Sequence, residues 1–373
     1  MSKETSSGPV DLRSDTVTRP TAGMRQAMAN AEVGDDWYGE DPSVNRLQEE
    51  VAALLGKPAG LWVSSGTLGN QVALRVHCRH GDDVLVGEES HNQWHENGGA
   101  AALAGVQFSV IGNRGAAAAP ATDQVGLFTP AQVSEAVKPA NGLYPPTRLL
   151  SIENTHNRGG GRVWPLAQLQ AVCAAGRQAG LALHLDGARL WNAAVASGIA
   201  EATLAAPFDT VSVCLSKGLG APAGSVLCGA VEAIARARRY RQMYGGGLRQ
   251  AGVLAAAGRY ALHHHRARLG EDHGNAQQLG ARLSEIPGIL VRTPIETNII
   301  VFDLAGPGEP GGAAADAAAL VAALRARGVL LNAFGRRRLR AVTHLDVSAA
   351  DCARAAEHIA AAWAALRAEG RGA

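Results

Sequence analysis

The sequence predicts an α/β fold with a mainly parallel, seven-stranded sheet in a large domain, followed by a smaller α+β C-terminal domain. Short apolar runs recur through the first two thirds of the chain, and most of them end in a polar or small residue. Stretches with helical spacing of apolar residues separate these runs. Such alternation is typical of parallel strands covered by helices on both faces. The runs predicted as strands are GLWVSS, DDVLVGEE, VQFSVIG, RLLSIEN, LALHLDG, DTVSVCLS and GSVLCG.

The chain before the first strand has two parts. Residues 1–20 show no regular period and are predicted to form an extended N-terminal arm. Two helices follow, over residues 22–30 and 44–55, and the second places its apolar residues on one face. An acidic loop connects these helices, and we expect its carboxylates, among them Asp36 and Asp41, to lie in a solvated turn.

The end of the large domain is predicted from a change of pattern. A helical region rich in Ala and Arg is interrupted by YGGGLRQAG. Beyond it, GILVRTPIETNIIVFDL, GVLLNAFG and RLRAVTHLDVS indicate a second, smaller sheet, and Ser348 begins a terminal helix with a Ser-x-x-Asp capping pattern. We therefore predict a large domain of residues 21–255 and a small domain of residues 256–373.

The composition excludes several classes of protein. The 373 residues carry a net charge of +2, so there is no basic field for nucleic acid, and the 4% aromatic content is too low for a base-stacking surface. No apolar stretch is long enough for a membrane span, and the N-terminus lacks the apolar core of a signal peptide. The five cysteines form no C-x-x-C pattern and are expected as free thiols. We predict a cytoplasmic protein without nucleic-acid or membrane partners.

Three reactive residues are predicted at the carboxyl ends of strands, where ligands gather in an open α/β sheet. Asp186 lies at the end of LALHLDG, Lys217 follows DTVSVCLS, and His91 comes just after DDVLVG. Lys217 is one of only four lysines in a chain that uses arginine for most of its positive charge. We therefore expect that this position needs a primary amine.

A phosphate site is predicted at Ser65, Gly66 and Thr67, between the first strand and the helix after it. Backbone N–H groups lack helical partners at such a junction, and the helix dipole favours an anion there. A phosphate site, a strand-end acid and a strand-end lysine together fit pyridoxal 5'-phosphate. The lysine would hold the cofactor aldehyde as a Schiff base, and Asp186 would pair with the pyridine nitrogen. His91 would stack on the ring face.

These motifs, taken together and in order, resemble the low-specificity L-threonine aldolases, which are fold-type I pyridoxal-phosphate enzymes of the aspartate aminotransferase superfamily. The resemblance covers nearly the whole chain. It rests on DLRSDTVTRPT, EVGDDWYGEDPSVNRLQE, SSGTLGNQVAL, HENGGAAALAGV, ENTHNRGGGRVWPL, LHLDGARLWNAA, SKGLGAPAGSVL, YGGGLRQAGVLAAAG and VTHLDVS. So many motifs in one order make the resemblance specific.

The resemblance implies roles for the candidate residues and no metal. The implied catalytic residues are Lys217, His91 and Asp186. The residues implied to bind the cofactor are Ser65, Gly66, Thr67, His91, Asp186, Arg189, Lys217 and Arg249. Those implied to clamp the substrate carboxylate are Ser14, Arg189 and Arg340, because a guanidinium can bind a carboxylate through two hydrogen bonds. Arg249 is implied to reach the phosphate of a neighbouring subunit, in a homotetramer with active sites at a dimer interface.

The implied reaction is the aldol cleavage of L-threonine, L-allo-threonine and related L-β-hydroxy-α-amino acids to glycine and an aldehyde. This reaction makes the protein a carbon–carbon lyase of amino-acid metabolism and glycine biosynthesis. The general base is left open among a water, His91, Glu96 and His95. Many relatives carry a His where this chain has Leu143, which leaves the threo or erythro preference open. The bulk of Trp37 and Trp94 leaves L-phenylserine open as a substrate.

Other interpretations use the same residues differently. A pyridoxal-phosphate β-eliminating lyase or an aminotransferase-like enzyme would keep the fold and cofactor and act on another amino acid. A nucleotide-dependent oxidoreductase lacks support, because the sequence has no G-x-G-x-x-G motif with a ribose-binding acid. A non-catalytic interaction protein would leave Lys217, Asp186 and His91 unexplained. Three consecutive histidines at 263–265 point apart on a helix, so we do not expect them to share a metal.

Overall fold

A computed structural model describes residues 8–112 and 125–369 of the chain. Its strands, numbered in chain order, are β1 Val10–Asp11, β2 Ala59–Val63, β3 Asp83–Gly87, β4 Gln107–Ile111, β5 Thr147–Glu153, β6 Ala182–Gly187, β7 Thr210–Cys214, β8 Ser225–Gly229, β9 Ile289–Val291, β10 Ile299–Leu304, β11 Val329–Leu330, β12 Asn332–Ala333 and β13 Arg338–Val342. Its α-helices are α1 Ala22–Ala29, α2 Pro42–Leu54, α3 Gly66–His77, α4 His91–Trp94, α5 Pro130–Ala136, α6 Leu166–Gln178, α7 Leu190–Ser197, α8 Glu201–Ala205, α9 Val231–Met243, α10 Gly252–His264, α11 Leu269–Ser284, α12 Ala317–Ala326 and α13 Ala349–Glu369.

The chain divides into two compact units. The larger unit is residues 20–267, and the smaller unit combines the described residues up to Arg19 with those from Arg268 onward. The predicted boundary at residue 255 lies inside α10, and the division falls after that helix. Residues 8–19 of the predicted N-terminal arm belong to the smaller unit, where β1 pairs in parallel with β11. The first seven residues of that arm lie outside the described residues.

The larger unit is built on one seven-stranded sheet in the order β2-β8-β7-β6-β5-β3-β4. Strands β3, β4, β5, β6 and β7 are mutually parallel, and β8 is antiparallel to both of its neighbours, β2 and β7. Strands β3, β7 and β8 are buried along their whole length, as expected for a sheet covered on both faces, whereas the edge strand β4 is partly exposed. The predicted α/β fold with a mainly parallel sheet is confirmed.

The smaller unit contains an antiparallel sheet in the order β12-β13-β10-β9. Its core is formed by apolar side chains of β10, β13, α11, α12 and α13. Ser348 and Asp351 cap the start of α13 reciprocally: the Ser348 N–H donates to Asp351 Oδ2 at 3.0 Å, and the Asp351 N–H donates to Ser348 Oγ at 3.1 Å. The capping pattern predicted at Ser348 is therefore present.

Helix α3 begins where its sequence predicts, and it lies unusually close to the sheet. Ser65 caps it by accepting a hydrogen bond from the Leu68 N–H at 3.1 Å. A Cβ atom on Gly66 would lie 2.6 Å from Cys214 Sγ, and one on Gly69 would lie 2.6 Å from Ser212 Oγ. The two glycines therefore allow the helix backbone to approach β7 at a distance that no other residue would permit.

The acidic loop between α1 and α2 is not the solvated turn that we expected. Asp36 is 1% exposed and forms a buried ion pair with Arg241 of α9. Asp41 is also buried; its Oδ1 accepts the N–H of Val44 at 3.0 Å, and its Oδ2 accepts the N–H of Gly252 at 2.8 Å. These carboxylates hold α2, α9 and α10 together, and the expectation failed because their partners lie about two hundred residues away in sequence.

The five cysteines are free and buried, as the sequence predicts. Burial raises the pKa of Cys78, Cys173, Cys228 and Cys352 to about 12 in each case. These four thiols therefore stay protonated near neutral pH and pack as small apolar groups. Among the described residues, no helix is both long and apolar enough to span a bilayer.

We expect Gly69→Ala to lower the melting temperature of the protein. The added methyl group must displace Ser212 or move α3, and overpacking of this kind costs about 1–3 kcal/mol of unfolding free energy. Gly274→Ala is the control, because Gly274 lies inside α11 with open space around its Cα and the change should add about 0.5–1 kcal/mol. Thermal unfolding followed by circular dichroism measures both. An unchanged melting temperature in Gly69→Ala would contradict the close approach.

Candidate active site

Asp186 lies at the carboxyl end of β6 and is 3% exposed. Its Oδ1 accepts the N–H of Ala188 at 3.1 Å, and its Oδ2 accepts a hydrogen from Asn70 Nδ2 at 2.8 Å. Asn70 belongs to α3, on the turn that follows Gly66 and Gly69. The close packing of α3 on the sheet thus brings a neutral amide donor to a buried carboxylate, which offsets part of the cost of burying the charge.

Glu96 is a second buried carboxylate beside Asp186. Its Oε1 accepts the other Asn70 Nδ2 hydrogen at 2.8 Å, and its Oε2 accepts Gln71 Nε2 at 2.6 Å. The carboxamide of Asn70 therefore stands between Asp186 and Glu96 and donates to both. This arrangement fixes the orientation of the Asn70 amide, because only its nitrogen can donate to carboxylates.

His91 is the first residue of α4, just after β3, and its side chain lies beside both carboxylates. Its backbone N–H donates to Glu153 Oε2 at 2.8 Å, and its ring Nδ1 lies 3.0 Å from Glu96 Oε1. Burial favours the neutral ring, but the hydrogen bond to Glu96 and the charges of Asp186 and Glu153 prevail and raise the pKa of His91 above its ordinary value. Lys217 opposes this rise through its positive charge.

Lys217 follows β7, in the loop that connects β7 to β8. The loop is closed by three backbone hydrogen bonds: from Leu215 N to Gly224 O at 3.0 Å, from Ala221 N to Leu215 O at 3.1 Å, and from Gly220 N to Lys217 O at 2.8 Å. Asp186 ends β6, Lys217 follows β7 and His91 follows β3, so all three lie at the carboxyl ends of parallel strands, on the same edge of the sheet.

Ser65, Gly66 and Thr67 form the first turn of α3 at this edge. The Leu68 N–H donates to Ser65 Oγ, and the Gly69 N–H donates to the Ser65 carbonyl oxygen. Within the described residues, the N–H groups of Gly66 and Thr67 have no hydrogen-bond acceptor. Two free backbone donors on a helix N-terminus suit a phosphate. Together with a buried acid and a primary amine, they meet the requirements of pyridoxal 5'-phosphate, so the residues present fit this cofactor.

The arginines and serine predicted to bind substrate or phosphate lie in three places. Arg189 lies three residues after Asp186, at the start of α7, and is buried. In the smaller unit, Ser14 caps a 3₁₀ turn, and Arg340 donates to the Arg13 carbonyl at 3.0 Å. Arg249 lies between α9 and α10 with an exposed guanidinium, 3.8 Å from Asp35 Oδ2. The roles predicted for these four residues remain predictions.

Several buried polar residues of the site were missed by the sequence prediction, chiefly Asn70, Gln71, Glu153 and His184. Glu153 ends β5 and accepts the N–H groups of His91 and Asn157. A usable signal was present at Asn70 and Gln71, because two adjacent amides interrupt an otherwise apolar helix in SSGTLGNQVAL. Among the described residues, His91, Glu96 and Asp186 also have the spacing of a metal site. The hydrogen bonds through Asn70 account for that grouping without an ion.

Comparison with known proteins identifies the family. The sequence profile of the family described as beta-eliminating lyase matches residues 11–305. A low specificity L-threonine aldolase from Escherichia coli K12 is 45% identical over 94% of this chain and 98% of its own. A probable low-specificity L-threonine aldolase from Arabidopsis thaliana is 42% identical over 92% of this chain and 94% of its own. The chain belongs to the low-specificity L-threonine aldolase family.

Solved structures agree with this aldolase family in their fold. A threonine aldolase from Leishmania major has a TM-score of 0.76 at 21% identity and covers 95% of this chain and 100% of its own. A putative L-allo-threonine aldolase from Listeria monocytogenes has a TM-score of 0.74 at 20% identity, covering 95% of this chain and 96% of its own. The comparisons confirm the predicted resemblance to this family, the fold-type I architecture and the assignment of the chain as a lyase.

Glu96→Gln should lower the pKa of His91. The wild-type ring keeps its proton to a higher pH than a free imidazole, because Glu96 and the neighbouring carboxylates stabilise the charged form. The stabilisation from this proton is complete below a pH of about 6.5 and is lost as the pH rises through the folded-state pKa. NMR titration of the ring in the protein without cofactor measures the shift. Glu49→Gln, at an exposed position of α2, is the control. An unshifted midpoint in Glu96→Gln would show that Glu96 does not set this pKa.

Proposed function

We propose that this chain cleaves L-threonine, L-allo-threonine and related L-β-hydroxy-α-amino acids between Cα and Cβ, giving glycine and an aldehyde, with pyridoxal 5'-phosphate as cofactor. The observation that carries the proposal is the joint position of Lys217, His91 and Asp186 at the edge of the sheet where α3 begins. The names of the aldolase relatives, and their coverage of nearly the whole chain, support the substrate class.

The cofactor would be held by residues of the larger unit. Gly66 and Thr67 offer two backbone N–H groups to its phosphate, and the primary amine of Lys217 would bond to its aldehyde carbon. The Asp186 carboxylate would accept a hydrogen bond from its ring nitrogen, which keeps that nitrogen protonated. When bound, the cofactor supplies the electron sink that stabilises negative charge at the substrate Cα after the Cα–Cβ bond breaks.

We assign His91 as the base that accepts the proton of the substrate β-hydroxyl group. If Nδ1 donates to Glu96, the other ring nitrogen is left to accept a proton. Glu96 itself is buried and already accepts from Asn70, Gln71 and His91, so its role is to orient His91. His95 is exposed, and its ring centroid lies 5.4 Å from that of His91.

Arg189 is proposed to hold the substrate carboxylate, because it follows Asp186 and is buried at the same end of β6. A fixed carboxylate sets which bond at Cα stands perpendicular to the cofactor ring, and that bond is the one that breaks. The choice between aldol cleavage and other reactions at Cα therefore depends on this clamp.

A homotetramer in the cytoplasm, with Arg249 reaching a neighbouring active site, completes the proposal. The larger unit exposes apolar side chains near Arg249, which supports self-association. Leu248 is adjacent to Arg249 in sequence, Met243 ends α9, and Trp37 and Tyr38 lie in the loop whose Asp36 N–H donates to the Arg249 carbonyl. Exposed apolar patches of this kind mark contact surfaces.

Lys217→Arg should keep the fold and lose nearly all turnover, because a guanidinium cannot form the imine with the cofactor aldehyde. Wild-type protein incubated with pyridoxal phosphate should absorb in the visible, and borohydride should fix the cofactor mass to the peptide that contains Lys217. Lys57→Arg is the control; Lys57 donates to the Phe208 carbonyl at 2.7 Å, away from the proposed chemistry. A colourless wild-type protein, or a label on another lysine, would contradict the proposal.

The products and the substrate preference are tested by steady-state rates on L-threonine, L-allo-threonine and L-phenylserine. Glycine and the matching aldehyde are expected from each; ammonia and a keto acid would indicate β-elimination instead. Leu143 is 81% exposed and offers no imidazole to the substrate hydroxyl. We therefore expect little discrimination between the two threonine epimers, and measurable cleavage of the aryl substrate. A strong preference for L-threonine over L-phenylserine would contradict the expectation for the aryl substrate.

A further inference from the structure

Four hydrogen bonds connect the far end of helix α3 to Asp186. His77 Nε2 lies 2.8 Å from Thr210 Oγ1, and the same oxygen lies 2.9 Å from His184 Nδ1. His184 Nε2 lies 3.2 Å from Asn70 Oδ1, and Asn70 Nδ2 lies 2.8 Å from Asp186 Oδ2. We refer to His77, Thr210, His184 and Asn70 as the buried relay. It has no part in the proposed bond cleavage.

The register of the sheet produces this relay. Strands β6 and β7 are paired with His184 opposite Thr210. His184 and Asp186 lie two residues apart on β6, so their side chains point to the same face of the sheet. Helix α3 covers that face, and Asn70 and His77 are seven residues apart, about two turns, so both point toward the strands. The glycines that let α3 approach β7 therefore also close the relay.

One arrangement of hydrogens satisfies every member of the relay. Asn70 donates from its nitrogen to two carboxylates, so its Oδ1 faces His184, and His184 Nε2 must carry a hydrogen. Burial lowers the pKa of His184 to about 4, so near neutral pH the ring is uncharged and its Nδ1 is an acceptor. The Thr210 hydroxyl must then donate to His184 Nδ1.

The same reasoning fixes the last member. Because the Thr210 hydrogen points to His184, the oxygen accepts from His77 Nε2–H. Burial also lowers the pKa of His77 to about 4, so this ring is uncharged as well. Every hydrogen in the relay therefore points in the direction of Asp186, and the amide nitrogen of Asn70 can present only hydrogens to that carboxylate.

We propose that Thr210 and His184 are positioning residues for Asp186, acting through Asn70 to hold its carboxylate ionised and correctly oriented as the partner of the cofactor ring nitrogen. The role assigned here to Thr210 and His184 rests on the proposed function. The order of hydrogens along the buried relay does not depend on that function. If the Thr210 hydroxyl is removed, His184 Nδ1 is left without a donor and Thr210 no longer holds the ring in place. The hydrogen bond from His184 Nε2 to Asn70 Oδ1 then weakens, and Asn70 is held less firmly against Asp186.

The first test reads the tautomer directly. Protein with ¹⁵N-labelled histidine and without cofactor should show His184 as the neutral tautomer with hydrogen on Nε2. Thr210→Val should move the His184 Nδ1 resonance to that of a nitrogen without a hydrogen-bond donor, and Thr210→Ser, which retains the hydroxyl, should keep the wild-type resonance. Hydrogen on Nδ1 in the wild-type protein would overturn the proposal without the need for any variant. This outcome is independent of whether the protein binds pyridoxal phosphate.

The second test measures the dissociation constant of pyridoxal phosphate by titration of the visible absorbance. Thr210→Val should bind the cofactor more weakly by up to about tenfold, the order expected for the loss of one buried hydrogen bond, and Thr210→Ser should match the wild type. Equal affinity in a folded Thr210→Val variant would overturn the proposal. If the wild-type protein binds no pyridoxal phosphate, the proposed function fails, and the tautomer measurement still decides the order of hydrogens.

Discussion

The close approach of α3 to strands β6 and β7 is the constraint on which the candidate site depends. Gly66 and Gly69 remove the two side chains that would meet Cys214 and Ser212, and the helix axis can then lie against the strand ends. Two consequences follow from one packing contact. The free N–H groups of the first turn lie at the edge where β6 and β7 end, and Asn70 reaches Asp186 within hydrogen-bond distance. The proposed phosphate site and the hydrogen bonding of Asp186 thus depend on the same helix.

The site concentrates negative charge on buried side chains. Asp186, Glu96 and Glu153 are all buried around one imidazole. Such a group of carboxylates is tolerable only when each oxygen finds a donor, because an unpaired buried charge is costly. Here the donors are mainly neutral: the amides of Asn70 and Gln71 and the backbone N–H groups of His91 and Asn157. Neutral donors leave the net negative charge in place, which raises the pKa of His91 and would favour a protonated nitrogen on the cofactor ring.

The sequence predicts the sheet and its reactive strand ends well, because apolar runs and the residues that end them are local signals. Asp186, Lys217 and His91 could be located in this way. Asn70 and His184 could not, since their importance arises from the register of β6 with β7 and from the seven-residue spacing along α3. The loop at Asp36 was misjudged for a related reason. The sequence alone gives no sign that Asp36 is buried, because its partner Arg241 lies far away in the sequence.

The antiparallel insertion of β8 has a mechanical consequence for the lysine. The parallel strands of the sheet are connected through long segments with helices, whereas β7 and β8 are joined by the short loop 215–224. A short loop between paired strands restricts its backbone at small cost in closure entropy. A ligand bonded to Lys217 would therefore be tethered to the ladder of β7 and β8, whose residues are all buried. The backbone at Lys217 can move away from the site only if β7 and β8 separate. We expect such a motion to require global unfolding, because local fluctuations are confined to less buried segments.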